Sequence, residues 1–388
     1  MKITGVRAVL LSYVYSESEV WKWSGGKVDV WNTCLIELKT DEGMTGLGEA
    51  GDGHFVPEAA AALVAHFRPM LIGSNPLEVD ALHQRMMMAS TYWGRRGVAV
   101  GVISGIETAC WDLLGKALNQ PVHLLLGGLR RNSIPVYASA GMEKSDEELA
   151  DELREHVAAG YRTLKIRGGY SVRRDAALME VARRAVGDTV EVAIDAGQHY
   201  VPNPWSLAEA IEVARAIEPY RPFWLEEPLH IEQPREYAAL RAKTSVPIAA
   251  GENGATLREF RNLLDAEALD VLQPDVTHSG GIGEVRRIAQ LAEQHGRKIA
   301  PHIFRSGVGL MAHLHLMCSI PNGLIFEYSR MPNPLRDELL LNPVVVRDGC
   351  IQAPRTDVPG LGVHLPPSLE ERYPYRGRVQ RFAVEVNQ

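Results

Sequence analysis

Cysteine is scarce in this chain of 388 residues, which has four. Cys34, Cys110, Cys318 and Cys350 form no CxxC pair and no cluster with histidine. That argues against a disulfide scaffold or a thiolate metal site and reads as reduced thiols in a reducing compartment. Surplus charge is also small, −7 in all, so neither a nucleic acid nor an anionic membrane is expected as partner. No apolar run is read as approaching the roughly 20 residues of a membrane span. The start, MKITGVRAVLL, has one lysine ahead of a strand-like run broken by Arg7. It lacks a small-residue cleavage site, so no signal peptide is read and a cytoplasmic location is the default. There is no P-loop. The one GxGxxG match, Gly46 to Gly51, sits in the second arm of a hairpin and lacks an acidic residue about 20 positions on, so it reads as a turn.

What is present is an ordinary globular composition, 46% hydrophobic and 23% charged, in a chain long enough for a large domain and a smaller one. Residues 1–125 read as an α+β unit. VDVWNTCLIELKT and MTGLGEA flank a turn at Asp41-Glu42-Gly43, a hairpin signal. VPEAAAALVAHFRPML and PLEVDALHQRMMMAS have helical periodicity, each with a proline expected in its first turn. GVAVGVISGIETACWDLLGKAL reads as a long helix buried on most sides.

Across 126–330 short apolar strands alternate with amphipathic helices. The strands are IPVYAS, RTLKIR, VEVAID, PFWLEE, VPIAAG, LDVLQPD, RKIAPH and GLIFEY. This rhythm predicts an α/β fold of the (β/α)-barrel kind. Residues 331–388, rich in Pro and Gly, are expected to pack back on the N-terminal unit.

In such a barrel, chemistry sits at the C-terminal strand ends. The second strand ends in Lys165 and Arg167, and the third in Asp195. The fourth to eighth end in Glu226-Glu227, Glu252, Asp275, His302 and Glu327. Three carboxylates at one mouth, Asp195, Glu226 and Glu252, repel one another unless a cation sits between them. All-oxygen ligation suits Mg²⁺. Adjacent strand residues face opposite ways, so Glu226 is assigned to the metal and Glu227 to support. Asp275 beside His302 would fix the imidazole tautomer and place the other nitrogen as base or acid. Glu327 has two readings: a protonated acid that donates a hydrogen bond to a developing oxyanion, or a solvated carboxylate.

This ordered set resembles the enolase superfamily, in its mandelate racemase / muconate lactonizing enzyme branch. The resemblance runs from the TACWDLLGKAL helix and LLGG through LKIR, Asp195, LEEP, AGEN, QPD and PH to FEY. It implies a modified TIM barrel, (β/α)7β, with an N-terminal α+β capping domain. It also implies Mg²⁺ on Asp195, Glu226 and Glu252, and a carboxylate substrate that loses its α-proton to give an enediolate. The family's Lys-x-Lys is Lys-x-Arg here. Arginine is a poor proton acceptor, so Lys165 and Arg167 are expected to act as cations and His302 as the proton-transfer group. Two alternatives stay open for Arg167: a base, as in a few superfamily members, or a buried ion pair to Glu227 or Asp195. Relatives often read Asp-Ala-Asn where this chain has Asp-Ala-Gly. Some dehydratases carry a histidine base at that third position, here Gly197, and His199 is expected off the axis.

One His suffices for a syn dehydration of an acid sugar, an aldonate or aldarate, to a 2-keto-3-deoxy acid. A cycloisomerase of a sugar lactone or anhydro sugar acid comes next, on the likeness of FEYSRMPNPLRDELL and DVPGLGVHL to such enzymes. A racemase or epimerase and a non-catalytic sugar-acid binder follow. The resemblance also implies a homo-oligomer, dimer or octamer. Substrate contacts are expected from Trp21 and Trp23 on a lid hinged at Gly25-Gly26, and from His54 in the GDGHF loop.

Overall fold

The computed structural model describes residues 1–23 and 26–377, and the backbone of 381–382. The hinge position Gly25 and the ends of the C-terminal segment, 378–380 and 383–388, lie outside the described residues. Five strands come first: β1 (Ile3–Val14), β2 (Trp21–Trp23), β3 (Gly26–Val28), β4 (Val30–Thr40) and β5 (Thr45–Ala50). β1, β4 and β5 form an antiparallel sheet, and β2 and β3 a separate hairpin. The turn between β4 and β5 has Gly43 at φ +77°, a left-handed position that glycine takes without a Cβ clash.

Helices Pro57–Leu71, Val79–Ala89 and Val98–Ala117 cover the sheet. Pro57 opens the first as expected, but Pro76 lies in a turn ahead of the second helix rather than in its first turn. Val98–Ala117 corrects the reading of apolar runs. It is the one helix among the described residues long and apolar enough to cross a membrane, yet 83% of its apolar window is buried inside the protein. It packs closely because of glycines. A Cβ on Gly48 of β5 would come within 1.8 Å of the Gly105 carbonyl, and one on Gly46 within 2.3 Å of the Ala109 carbonyl. The first two GxGxxG glycines therefore serve strand–helix packing, with Ile36, Phe67 and Ile106 fully buried in the same core. Burying each such side chain stabilises by about 1.5–3 kcal/mol.

Eight parallel strands follow: β6 (Ser133–Ser139), β7 (Thr163–Arg167), β8 (Glu191–Asp195), β9 (Leu225–Glu226), β10 (Ile248–Ala250), β11 (Val271–Leu272), β12 (Lys298–Ile299) and β13 (Phe326–Ser329). They pair in chain order from β6 to β12. The ring closes because β13 pairs with β6 and Ile299 bridges to Gly323, just ahead of β13. Amphipathic helices wrap the outside. That of Asp146–Ala158 starts in a capping box between Ser145 and Glu148, which satisfies two otherwise unpaired amides.

Two carboxylates of the N-terminal unit fix it over the barrel. Glu49 accepts from the Ser306 hydroxyl at 2.6 Å and the Gly309 amide at 3.0 Å. Glu107 accepts from the Ile282 and Gly283 amides, both at 2.8 Å. Each sits at the N-terminus of a barrel helix, where the helix dipole favours an anion. The C-terminal segment touches both units. Its hairpin, β14 (Val346–Arg347) and β15 (Cys350–Gln352), extends the sheet from β6, with Ile351 opposite Ile134. Farther on, the Ser12 amide donates to the Tyr373 carbonyl at 3.1 Å, and the backbone of β16 (Arg381–Phe382) pairs with β3.

Candidate active site

Asp195 ends β8, Glu226 ends β9, and Glu252 lies two residues past β10. Because these strands are neighbours in the barrel, one carboxylate oxygen of each falls within 4.8 Å of the others. All three side chains are at most 10% exposed. Burial and the adjacent carboxylates push the Glu226 carboxyl well above its usual range despite Lys165. An anionic cluster of this kind fits a divalent cation: the donors are hard oxygens, and the ion would relieve the repulsion that burial intensifies.

Lys165 lies beneath this cluster. Its ammonium is 2.7 Å from Glu226, 3.0 Å from Glu327 and 3.6 Å from Asp195, with no exposure. Burial works against its charge, but Glu226 and Glu327 outweigh that and hold it ionised. Lys165 is not among the residues lining the cavity described below, so its partners here are protein carboxylates. Glu327 departs from expectation. Burial alone would raise its pKa, but Lys165 and His302 hold it below the usual range. It accepts from the Ile303 amide at 2.7 Å and faces the Lys165 ammonium. One oxygen accepts a backbone amide and the other faces an ammonium, an arrangement that favours the carboxylate over a protonated donor.

Arg167 stands directly opposite Asp195 in the β7–β8 register. One guanidinium nitrogen pairs with Asp195 and another reaches the Ser139 hydroxyl at 3.3 Å. Of the two ion pairs left open from the sequence, the one to Asp195 is formed; Glu227 instead binds the Gly251 amide at 2.8 Å and lies 2.5 Å from His199. Burial opposes the Arg167 charge and Asp195 more than compensates, so the group stays protonated. Glu227 holds φ +49°, a left-handed value that turns its side chain away from Glu226. Gly197, also left-handed at φ +50°, donates its amide to Asp195 at 3.1 Å.

His302 and Asp275 meet at 2.9 Å through Nδ1. Asp275 is fully buried and also takes the Thr277 amide at 2.8 Å, the Thr277 hydroxyl at 2.6 Å and Arg305 at 3.0 Å. Burial would raise its pKa, but Arg305 and His302 hold it well below the usual range. The other ring nitrogen, Nε2, lies 3.9 Å from the Glu252 carboxylate. Burial lowers the imidazole's proton affinity, and Glu252 and Asp275 raise it past its ordinary value. The second nitrogen of the dyad is thus aimed at the carboxylate cluster.

A cavity of about 250 Å³ opens over these groups. His302, Arg167 and Glu252 border it from the barrel; Trp21, Trp23 and His54 border it from the N-terminal unit. Trp23 packs edge-on against Tyr200, with ring centroids 4.6 Å apart, and His54 stacks on Trp31 at 3.7 Å. Several wall residues had no signal in the sequence reading. Tyr200 donates to Glu252 at 2.8 Å. Arg305, three positions after His302, braces Asp275. His278, three positions after Asp275, pairs with Asp52 at 3.0 Å. His199 does not line the cavity but backs the cluster, its Nε2 4.0 Å from Glu252. The short spacing from a strand-end residue was the available cue for Arg305 and His278.

Known proteins are similar to this chain in sequence and fold. Residues 14–127 match the N-terminal domain of the mandelate racemase / muconate lactonizing enzyme family, and residues 148–369 match the enolase C-terminal domain-like family. D-galactarolactone cycloisomerase of Agrobacterium fabrum is 32% identical over 94% of this chain and 97% of its own length. D-galactonate dehydratase of Verminephrobacter eiseniae is 36% identical over 86% of this chain and 89% of its own. The crystal structure of the 3,6-anhydro-D-galactonate cycloisomerase from Zobellia galactanivorans superposes with a TM-score of 0.86 at 30% identity, covering 96% of this chain and 99% of that one. The chain therefore belongs to the mandelate racemase / muconate lactonizing enzyme branch of the enolase superfamily.

Proposed function

We propose that this protein is a Mg²⁺-dependent lyase that dehydrates an acid sugar to a 2-keto-3-deoxy acid. The reading is carried by one observation: the His302–Asp275 dyad aims its free nitrogen at the cluster of Asp195, Glu226 and Glu252, 3.9 Å from Glu252. The similarity to a D-galactonate dehydratase over 86% of the chain supports it. In this reading Asp195, Glu226 and Glu252 would hold Mg²⁺, with 126–330 as catalytic barrel and 1–125 as cap. When bound, the ion supplies a Lewis acid that stabilises the charge developing on the substrate carboxylate.

The chain's own residues do the rest. The neutral His302 Nε2 takes the α-proton, and the C–H electron pair passes into an enediolate. Asp275 stabilises the imidazolium so formed. Lys165 and Arg167 keep positive charge beside the acidic cluster as the substrate's own charge grows. His302 then returns its proton to the β-hydroxyl, which departs as water while the Cα=Cβ bond forms. The resulting enol tautomerises to the ketone. Trp21, Trp23 and His54 enclose the substrate. A single base fits this sequence of events, because Arg167 is held protonated.

A second reading, a cycloisomerase of a sugar lactone or anhydro sugar acid, draws support from the 32% identity to D-galactarolactone cycloisomerase. Racemisation is disfavoured, since it needs a competent base on both faces.

The test is turnover of aldonates, aldarates and their lactones with Mg²⁺, trapping the keto product as its semicarbazone. The expected result is a keto acid whose formation stops with EDTA and resumes with added Mg²⁺. Turnover indifferent to the chelator would contradict the metal role.

A further inference from the structure

The cavity wall carries a second Asp–His pair. Asp52 comes from the turn Gly51–His54 of the N-terminal unit, and His278 from the turn after β11. They are 226 positions apart in sequence and 3.0 Å apart in space, Nδ1 to Oδ2. The pair mirrors Asp275–His302, yet it joins two structural units where the other lies within one. The fold makes room for it. A Cβ on Gly101, inside helix Val98–Ala117, would fall 2.0 Å from the Asp52 carboxylate. An interior helix glycine costs about 1 kcal/mol relative to alanine, so the space is kept at a cost.

Most other charged and polar side chains of the wall are engaged with protein partners, although Arg167 Nε and Trp21 Nε1 have none among the described residues. Arg167 pairs with Asp195, Arg305 with Asp275 and the Thr277 hydroxyl, and Tyr200 with Glu252. Asn253 is held by His199 and Tyr200. His302 and Glu252 belong to the reacting end. His278 uses one ring nitrogen on Asp52; among the described residues, the other makes no hydrogen bond. Its side chain is 13% exposed and borders the cavity, as does Asp52 at 16%. An imidazole donor beside a carboxylate acceptor matches two neighbouring hydroxyls, one accepting and one donating. A second carboxylate could accept from the imidazole but cannot donate, so it would leave Asp52 facing another acceptor. Each cation of the wall, His278 included, faces its own protein carboxylate, so a substrate anion remote from the cluster would lose its hydration without meeting an uncompensated positive charge.

We propose that Asp52 and His278 form a substrate-recognition dyad, shared by cap and barrel, that grips adjacent hydroxyls of the sugar chain and selects acids with one carboxylate over those with two. This rests on the sugar-acid reading above. Aldonates and their anhydro or lactone forms are then substrates, and aldarates are poor ones. Because the dyad exists only when the two units are in contact, recognition of the chain and closure of the site are one event.

The experiment compares aldonates and aldarates of equal chain length on the Mg²⁺-loaded protein, by kcat, KM and calorimetric binding. The same measurements are made on Asp52→Asn, His278→Gln and the double variant. The parent is expected to favour aldonates roughly ten-fold or more in kcat/KM. Each single variant is expected to raise the aldonate KM roughly ten-fold, as loss of a charge-assisted hydrogen bond does, while kcat falls by less. The double variant is expected to be no worse than about three-fold beyond either single one, since the residues act as a unit. Retained thermal stabilisation by Mg²⁺ shows that the variants are folded. A parent that prefers aldarates, or variants with unaltered KM, or variants that lose kcat alone, would overturn the dyad's role while leaving the dehydratase reading standing. A parent that neither binds nor turns over any sugar acid would overturn both.

Discussion

Arg167 and Asp195 face each other across β7 and β8 as direct register partners, and the guanidinium holds the carboxylate that heads the acidic cluster. An arginine there supplies charge without a usable lone pair. Lysine at this position would keep the cation but could lose its proton. Arg167→Lys is therefore expected to retain the fold and to gain exchange of the substrate α-proton on the second face. Deuterium uptake by both α-epimers, followed by mass spectrometry, checks this. Fast exchange of both epimers by the unmodified protein would show that the second face already has a base.

His302→Asn keeps a hydrogen-bonding group against Asp275 and removes the base. Loss of a positioned general base costs typically 10²–10⁴-fold in rate. Turnover is expected to fall by about that factor while Mg²⁺ still raises the melting temperature. Steady-state kinetics and thermal shift on the same sample separate the two. Full activity in this variant would remove His302 from the mechanism.

Lys165 is the hub of a buried charge cluster, touching Glu226, Glu327 and Asp195 with no exposure to water. Removing one partner of such a cluster leaves uncompensated buried charge and costs about 3–5 kcal/mol. Lys165→Met is expected to destabilise the metal-free protein by about that amount, read from denaturant unfolding in EDTA. A loss below about 1 kcal/mol would mean that the cluster is not held by this ammonium.

Stability should fall on both sides of neutrality, for opposite reasons. Burial lowers His315 to about 3 and His156 to about 4, from an ordinary 6.5. Between those values and 6.5 the unfolded chain binds protons that the folded chain refuses. Their contribution is complete above pH 6.5 and shrinks as pH falls toward 4. His278 has the reverse sign. Burial would lower it, but Asp52 raises it to about 9. Its contribution is complete below pH 6.5 and is lost as pH rises through 9. Melting temperature against pH should show both limbs, and Asp52→Asn should flatten the alkaline one. An unchanged alkaline limb in that variant would contradict the pairing.

The strand ends were legible in the sequence because a barrel repeats one physical unit, and its chemistry falls at one place in each repeat. That logic reached Asp195, Glu226, Glu252, Asp275 and His302, which the fold gathers at a single mouth. It failed where meaning depends on a partner far away in the chain. Glu327 was open to a neutral-donor reading because nothing near it shows that Lys165, from another strand, would keep it ionised. Asp52, in the GDGHF loop, drew no reading of its own, since its partner His278 is 226 positions on. Tyr200 and Arg305 act by bracing other side chains, and bracing has no local pattern. The buried helix Val98–Ala117 shows the converse: its apolarity was plain, while its length fits a membrane as well as a protein core, and only its packing against β5 decides.

The central claim is that His302 removes an α-proton and the β-hydroxyl then leaves. Proton NMR in D₂O with Mg²⁺, over aldonates, aldarates and their lactones, tests it most directly. The account predicts new 2-keto-3-deoxy signals, with deuterium entering at C3 as the enol collapses. Loss of a lactone by ring opening, with deuterium at the α-carbon and no keto product, would contradict dehydration and make the cycloisomerase reading the right one.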